Sequence, residues 1–144
     1  MPVHYIPEGQ ANIVPYIVVS GISKLIDFMK AVFDAEETER VARADGTIMH
    51  AQVKIGGTLL MMGEPQGGFG PMPAQLYIYV PNTDETFQRA IKAGATSLME
   101  PADMFYGDRN AGIKDPCGNH WWIATHQEDV SPEELQARAA AHRR

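Results

Sequence analysis

The side chains in this sequence best suited to chemistry are two histidines and two glutamines, set among aromatic residues. His50 and Gln52 stand two residues apart in Ile48-Met49-His50-Ala51-Gln52-Val53, and His120 opens His120-Trp121-Trp122-Ile123. Imidazole titrates near neutral pH and can abstract a proton next to a carbonyl, so His50 and His120 are the candidate catalytic bases. With Gln52, Gln75 and His126 they are also the candidate metal donors. The strand sequences place no Asp or Glu close by, whereas closed metal sites need several ligands. Hydrogen-bonded rim residues are the alternative reading of these histidines. A further group lies in Phe105-Tyr106-Gly107-Asp108-Arg109. There Arg109 could pair with an anionic ligand and Tyr106 close over it, or Arg109 could pair with Asp108, Asp115 or a residue across a dimer. Cys117 is the only cysteine, so an intrachain disulfide is excluded and a turn position in Asp115-Pro116-Cys117-Gly118 is expected.

These residues need elements to hold them. Residues 13–19 are β-rich, and Ser20 is placed to cap a helix whose stripe is Ile22, Leu25, Ile26, Met29, Val32 and Phe33. Strands follow over 36–44, 48–55 and 58–62, separated by the Asp45-Gly46 and Gly56-Gly57 turns. Residues 63–73 are rich in Gly and Pro and read as a linker or lid; no helix begins behind them, so they form no phosphate cradle. The pattern then restarts: a strand over 75–80, a helix with Asn82 and Glu85 as capping box and Gly94 at its end, and strands over 96–99, 111–114 and 120–125. Residues 101–107 read as a loop. Both halves give β, α, β, β, β, and they overlay at an offset of about 61 residues. Ser131-Pro132-Glu133-Glu134 starts a last helix over 131–144.

A chain of 144 residues with 44% hydrophobic and 21% charged residues suits one soluble globular domain, here 1–130 with modules of about 12–63 and 74–126. A formal charge of −6 speaks against a nucleic-acid surface. No apolar run is long enough for a membrane span, and the first ten residues lack a secretory pattern, so a cytoplasmic location is expected.

The segments Val18-Val19-Ser20-Gly21, Gly56-Gly57-Thr58-Leu59-Leu60-Met61-Met62 and Asp115-Pro116-Cys117-Gly118-Asn119-His120-Trp121 resemble the vicinal oxygen chelate superfamily of glyoxalase, bleomycin-resistance and extradiol dioxygenase proteins. Phe105 to Arg109 and the Thr125 to Glu134 tail are similar to its PhnB-like branch. The resemblance implies an α+β fold of two tandem βαβββ modules, with a curved mixed sheet around a cleft, in a homodimer. It also implies a divalent metal held by His, Gln or Glu; carried over, those positions are Val14, Met61, Gln75 and Trp122. Three of the four lack a hard donor, so no cofactor is expected unless a metal occupies a non-standard site.

Alternation assigns Tyr16, Val18, His50, Gln52, Met61, Gln75, Tyr77, Tyr79, His120 and Trp122 to the face opposite the helices. Val19, Met49, Val53, Leu60, Leu76, Ile78, Trp121 and Ile123 are assigned to the helix face. The first set is amphipathic and suits a small organic molecule, with Tyr16, Gln52, Met61, Gln75, Tyr77, Tyr106, Arg109 and Trp122 as ligand contacts. Metal-independent binding of such a molecule in the cleft between the modules is the expected function; a lyase, isomerase or dioxygenase-like enzyme of the same fold, using a His base or a non-standard divalent metal site, is the alternative.

Overall fold

The computed structural model describes residues 3–142. It has eight strands and three helices in two compact units. The first unit, residues 1–74 with the short stretch 116–118, holds β1 (Tyr16–Val18), α1 (Ile22–Phe33), β2 (Glu36–Ala42), β3 (Ile48–Ile55) and β4 (Thr58–Gly63). The second holds β5 (Gln75–Tyr79), α2 (Thr83–Lys92), β6 (Thr96–Asp103), β7 (Asp108–Lys114), β8 (His120–His126) and α3 (Pro132–Ala141). The class is α+β, with one mixed sheet per βαβββ repeat, ordered β1-β4-β3-β2 and β5-β8-β7-β6.

The repeat is preserved in the pairing. β1 runs parallel to β4 with Tyr16 opposite Met61, and β5 runs parallel to β8 with Tyr77 opposite Trp122. Each sheet is covered on one face by one helix. In α1 the expected stripe is buried, with Ile22, Leu25, Ile26 and Met29 at 0% exposure; burying such a side chain is worth about 1.5–3 kcal/mol. Beneath it lie Ile17, Ala51, Val53, Leu60 and Met62. In the second unit Phe87 and Ala90 of α2 are buried, as are Ala111, Ile113, Trp121 and Ile123 of the sheet.

Several local expectations are corrected. Ser20 does not cap α1. The N-cap is Gly21 in the left-handed conformation, and its N–H donates to Glu64 Oε1 at 2.9 Å. Glu64, just after β4, thus anchors the residue that precedes the first turn, and no side chain caps the turn itself. Met49 does not face the helix: the β2–β3 register skips it between Val41↔His50 and Ala42↔Ile48, and such a bulge re-aims a side chain. β6 runs through Pro101 to Asp103, which a sheet-edge position permits, since proline there costs no ladder bond. β7 correspondingly begins at Asp108 rather than Ala111. β1 is confined to Tyr16–Val18.

The caps of α2 and α3 are as expected, Asn82 Oδ1 accepting from Glu85 N and Ser131 Oγ from Glu134 N. α3 buries no side chain. Arg138 on it donates to the Phe105 carbonyl and pairs with Glu128 and Glu134.

The β7–β8 turn is organised by one buried carboxylate. Asp115 accepts from Asn119 N at 3.0 Å, Asn119 Nδ2 at 3.0 Å and the buried Trp121 Nε1 at 2.8 Å. An orphaned buried donor costs about 1–3 kcal/mol, so Asp115→Ala is expected to destabilise the chain by about 2–4 kcal/mol in urea unfolding. A change below about 0.5 kcal/mol would show that the turn does not depend on this carboxylate.

Candidate functional site

The helix-free face of the first sheet carries a pocket of about 370 Å³, lined by Tyr16, Val18, Arg43, Met49, Gly63, Glu64, Gln66 and Phe69. Three features of the backbone make it. The bulge brings Met49 to this face beside Tyr16. Gly63 lets strands β3 and β4 run close, since a Cβ there would stand 2.5 Å from the Met49 carbonyl oxygen and 3.2 Å from Tyr16 Oη. The linker folds back, with Val18 and Met72 exchanging backbone hydrogen bonds of 3.3 and 2.7 Å and Gln66 bridging Phe69 across a tight turn. The walls are mostly apolar, with Tyr16 47%, Met49 48% and Phe69 82% exposed.

Beside the pocket lies a polar array. Tyr16 Oη and His50 Nδ1 are hydrogen-bonded at 3.2 Å, and His50 Nε2 stands 3.1 Å from Glu39 Oε2. Gln52 Nε2 reaches both His50 Nε2 at 3.2 Å and Glu39 Oε2 at 3.4 Å, while Gln10 reaches Gln52 at 3.5 Å. The expectation of no nearby carboxylate is therefore corrected: β2 pairs with β3 and brings Glu39 alongside. The His50 tautomer that donates Nε2–H to Glu39 leaves Nδ1 to accept from the Tyr16 hydroxyl. Met61 lies on the same face, opposite both Tyr16 and Gln52 in register.

In the second unit Tyr77 Oη donates to Asp108 Oδ2 at 2.6 Å, reaching across β8. Burial first, then the hydrogen bonds with Asp108 and Tyr106, pushes the Tyr77 phenol well above its ordinary value, so it remains a donor. Asn110 Nδ2 donates to Tyr106 Oη at 3.0 Å, and the buried Asn110 Oδ1 has no donor among the described residues. The sequence reading took Asp108 only as a partner for Arg109 and passed over Asn110, because β7 was expected to start after them; continued alternation from Gly112 would have placed both on this face. Arg109 is not brought to the group. It lies on the helix side, bidentate to Asp84 at 2.9 and 3.1 Å and bonded to Asp103 at 3.1 Å. His120 stands opposite Gln75 and Lys114 in register. His50 and His120 belong to different units.

Trp122 decides how the metal positions are read. Its indole lies over Gly112, where a Cβ would collide with the ring, and its Nε1–H donates to Gln75 Oε1 at 2.9 Å. Gln75 is the one residue of Val14, Met61, Gln75 and Trp122 with a hard donor atom, and that oxygen is engaged. These residues do not fit a hard divalent ion. Among the described residues no three His, Cys, Asp or Glu side chains are placed to hold a metal.

The profile of the Glyoxalase/Bleomycin resistance protein/Dioxygenase superfamily matches residues 9–123, and the chain belongs to that superfamily. Over 134 residues it is 36% identical to the uncharacterized protein Rv0887c of Mycobacterium tuberculosis, covering 85% of this chain and 79% of that one. TioX from Micromonospora sp. ML1 superposes with a TM-score of 0.67 at 25% identity, over 81% of this chain and 98% of that one. A PhnB protein from Bacillus cereus shares the fold, with a TM-score of 0.63 at 16% identity over 80% of this chain and 99% of that one. No helix among the described residues is long and apolar enough to cross a membrane.

His126 offers a direct check on the second array. Its Nε2 meets Asp129 Oδ1 at 2.7 Å and its Nδ1 meets Asp108 Oδ1 at 2.8 Å. Asp129 first, then Asp108, raises the imidazole above its ordinary value of 6.5. A raised folded value means the stabilisation is complete below the unfolded pKa and fades as pH rises through the folded one. An NMR titration of His126 is expected to give a midpoint above 6.5, lowered by Asp129→Asn. A midpoint at or below 6.5 in the unsubstituted chain would refute the pairing.

Proposed function

We propose that this protein binds a small amphipathic organic molecule in the pocket of its first unit, without the divalent metal that the family resemblance implies. The pocket itself carries the reading. Its volume of about 370 Å³ suits a small metabolite, and ligand pockets are commonly apolar cavities with a few polar groups that fix orientation. Tyr16, Val18, Met49 and Phe69 supply the apolar contact, while Arg43 and Gln66 supply polar groups. The metal-free half of the reading rests on donor chemistry at Val14, Met61 and Trp122, and on the engaged oxygen of Gln75.

Cinnamyl alcohol, a neutral planar probe of suitable size, tests the first half. Titrated into isotope-labelled protein, it is expected to shift the backbone amides of Met49, Gly63 and Phe69. Met49→Trp, which fills the pocket from an exposed position, is expected to remove those shifts while leaving the thermal midpoint within a few degrees. Absence of pocket shifts at millimolar probe would refute binding there. Elemental analysis of protein purified without a histidine tag tests the second half: a stoichiometric divalent ion would overturn it.

A further inference from the structure

We infer that the occupant of this pocket is an organic acid, its carboxylate held by Arg43; the inference rests on the pocket being a binding site and names the class of ligand. Arg43 follows β2 and lines the pocket. A guanidinium has five N–H donors. Two contacts engage it here: Nη1 donates to Thr47 Oγ1 at 3.2 Å and Nη2 donates to the Glu64 carbonyl oxygen at 3.2 Å. Nε is buried and has no acceptor, and Arg43 forms no ion pair among the described residues. Every other arginine whose ion pairs are described, Arg40, Arg109 and Arg138, lies against a carboxylate. Nη1 and Nη2 each keep one N–H beyond these contacts, and a guanidinium with such donors beside a cavity is a place for an anion, because hydrogen bonds from an ionised donor to an ionised acceptor are the strong ones.

Glu64 also lines the pocket and would repel an anion were its charge free. It is not free. Oε1 accepts from Gly21 N at the start of α1, and Oε2 accepts from Ile48 N. Two backbone N–H groups and the positive end of a helix dipole therefore engage both oxygens of that carboxylate. Asp45, whose carboxylate lies close enough to feel Arg43, is bonded to both the hydroxyl and the N–H of Thr47 and is held below its ordinary value chiefly by them. Neither acid competes for the guanidinium's remaining donors. Tyr16, Met49 and Phe69 then provide the surface for the acid's apolar body, which makes an aryl or unsaturated monocarboxylate the best match.

Three probes share one body and differ in charge: cinnamate, cinnamyl alcohol and cinnamylamine. Cinnamate is expected to bind about tenfold more tightly than the alcohol, and the amine more weakly than either, by titration of the Met49 and Gly63 amides. Cinnamate should also shift the Arg43 Nε–H resonance, and the alcohol should shift it less. Arg43→Gln is expected to erase the advantage of cinnamate over the alcohol. Because Arg43 also braces Thr47 and Glu64, Arg43→Lys provides a second variant that keeps the charge but loses the planar fork; it is expected to retain part of the advantage. Equal binding of acid and alcohol, or tighter binding of the amine, overturns the organic-acid inference and leaves pocket binding standing. If neither alcohol nor acid perturbs the pocket, the binding reading itself fails. An unchanged preference in a folded Arg43→Gln protein removes Arg43 from the argument.

Discussion

One helix serves each sheet, and one helix can cover only one face. That constraint governs what the remaining residues do. Alternation along β3, β4, β7 and β8 sends Ala51, Val53, Leu60, Met62, Ala111, Ile113, Trp121 and Ile123 beneath α1 and α2, where they are nearly or fully buried. The same alternation sends Tyr16, His50, Gln52 and Met61, and in the repeat Tyr77, Asn110 and Trp122, to the other face. A one-residue slip would exchange the two sets. Burial under the helices therefore fixes the register that assembles the polar and aromatic groups, and the chemistry of the open faces is a by-product of core packing.

Two carboxylates hold the places where alternation alone is insufficient. Glu64 receives the N–H groups of Gly21 and Ile48, tying the start of α1 and the start of β3 to the end of β4. Asp115 gathers two donors from Asn119 and one from Trp121, closing the turn between β7 and β8. Both act on backbone or buried donors that would otherwise lack acceptors, which explains why charged residues stand at these points. Glu64 has a second consequence. Its side chain being committed, the adjacent guanidinium of Arg43 is left without a carboxylate.

The sequence was most legible where a single periodicity dominates. The stripe of α1, the Asn82 and Ser131 caps and the repeated βαβββ order all follow from local spacing. Features set by partners distant in the chain were not legible. Nothing near Ser20 announces that Glu64 will anchor Gly21, and nothing near Met49 announces a bulge set by pairing with β2. Glu39 was overlooked beside His50 because cross-strand register, not separation in sequence, makes them neighbours. Pro101 signalled a loop on local grounds, yet an edge strand tolerates it. Of the candidate site, the open-face membership of Tyr16, His50, Gln52, Met61, Tyr77 and Trp122 was readable; that of Arg43, Asp108 and Asn110 was not, because the first stands where β2 passes into a turn and the others begin a strand that ran longer than its pattern.

The residues at the metal positions that the family resemblance implies are tied to their neighbours. Met61 and Trp122 occupy equivalent points of the two repeats, opposite Tyr16 and Tyr77. Trp122 fits only because its neighbour across the ladder is Gly112, and its N–H takes up the oxygen of Gln75. Placing a donor at position 122 alone would leave Gly112 without the ring that covers it. Placing one at position 61 would leave Val14 and the engaged Gln75 as before. The residues at these positions support one another: Trp122 covers Gly112, and its N–H engages the oxygen of Gln75. In the first unit the corresponding residue, Met61, lies beside Tyr16, whose ring walls the pocket.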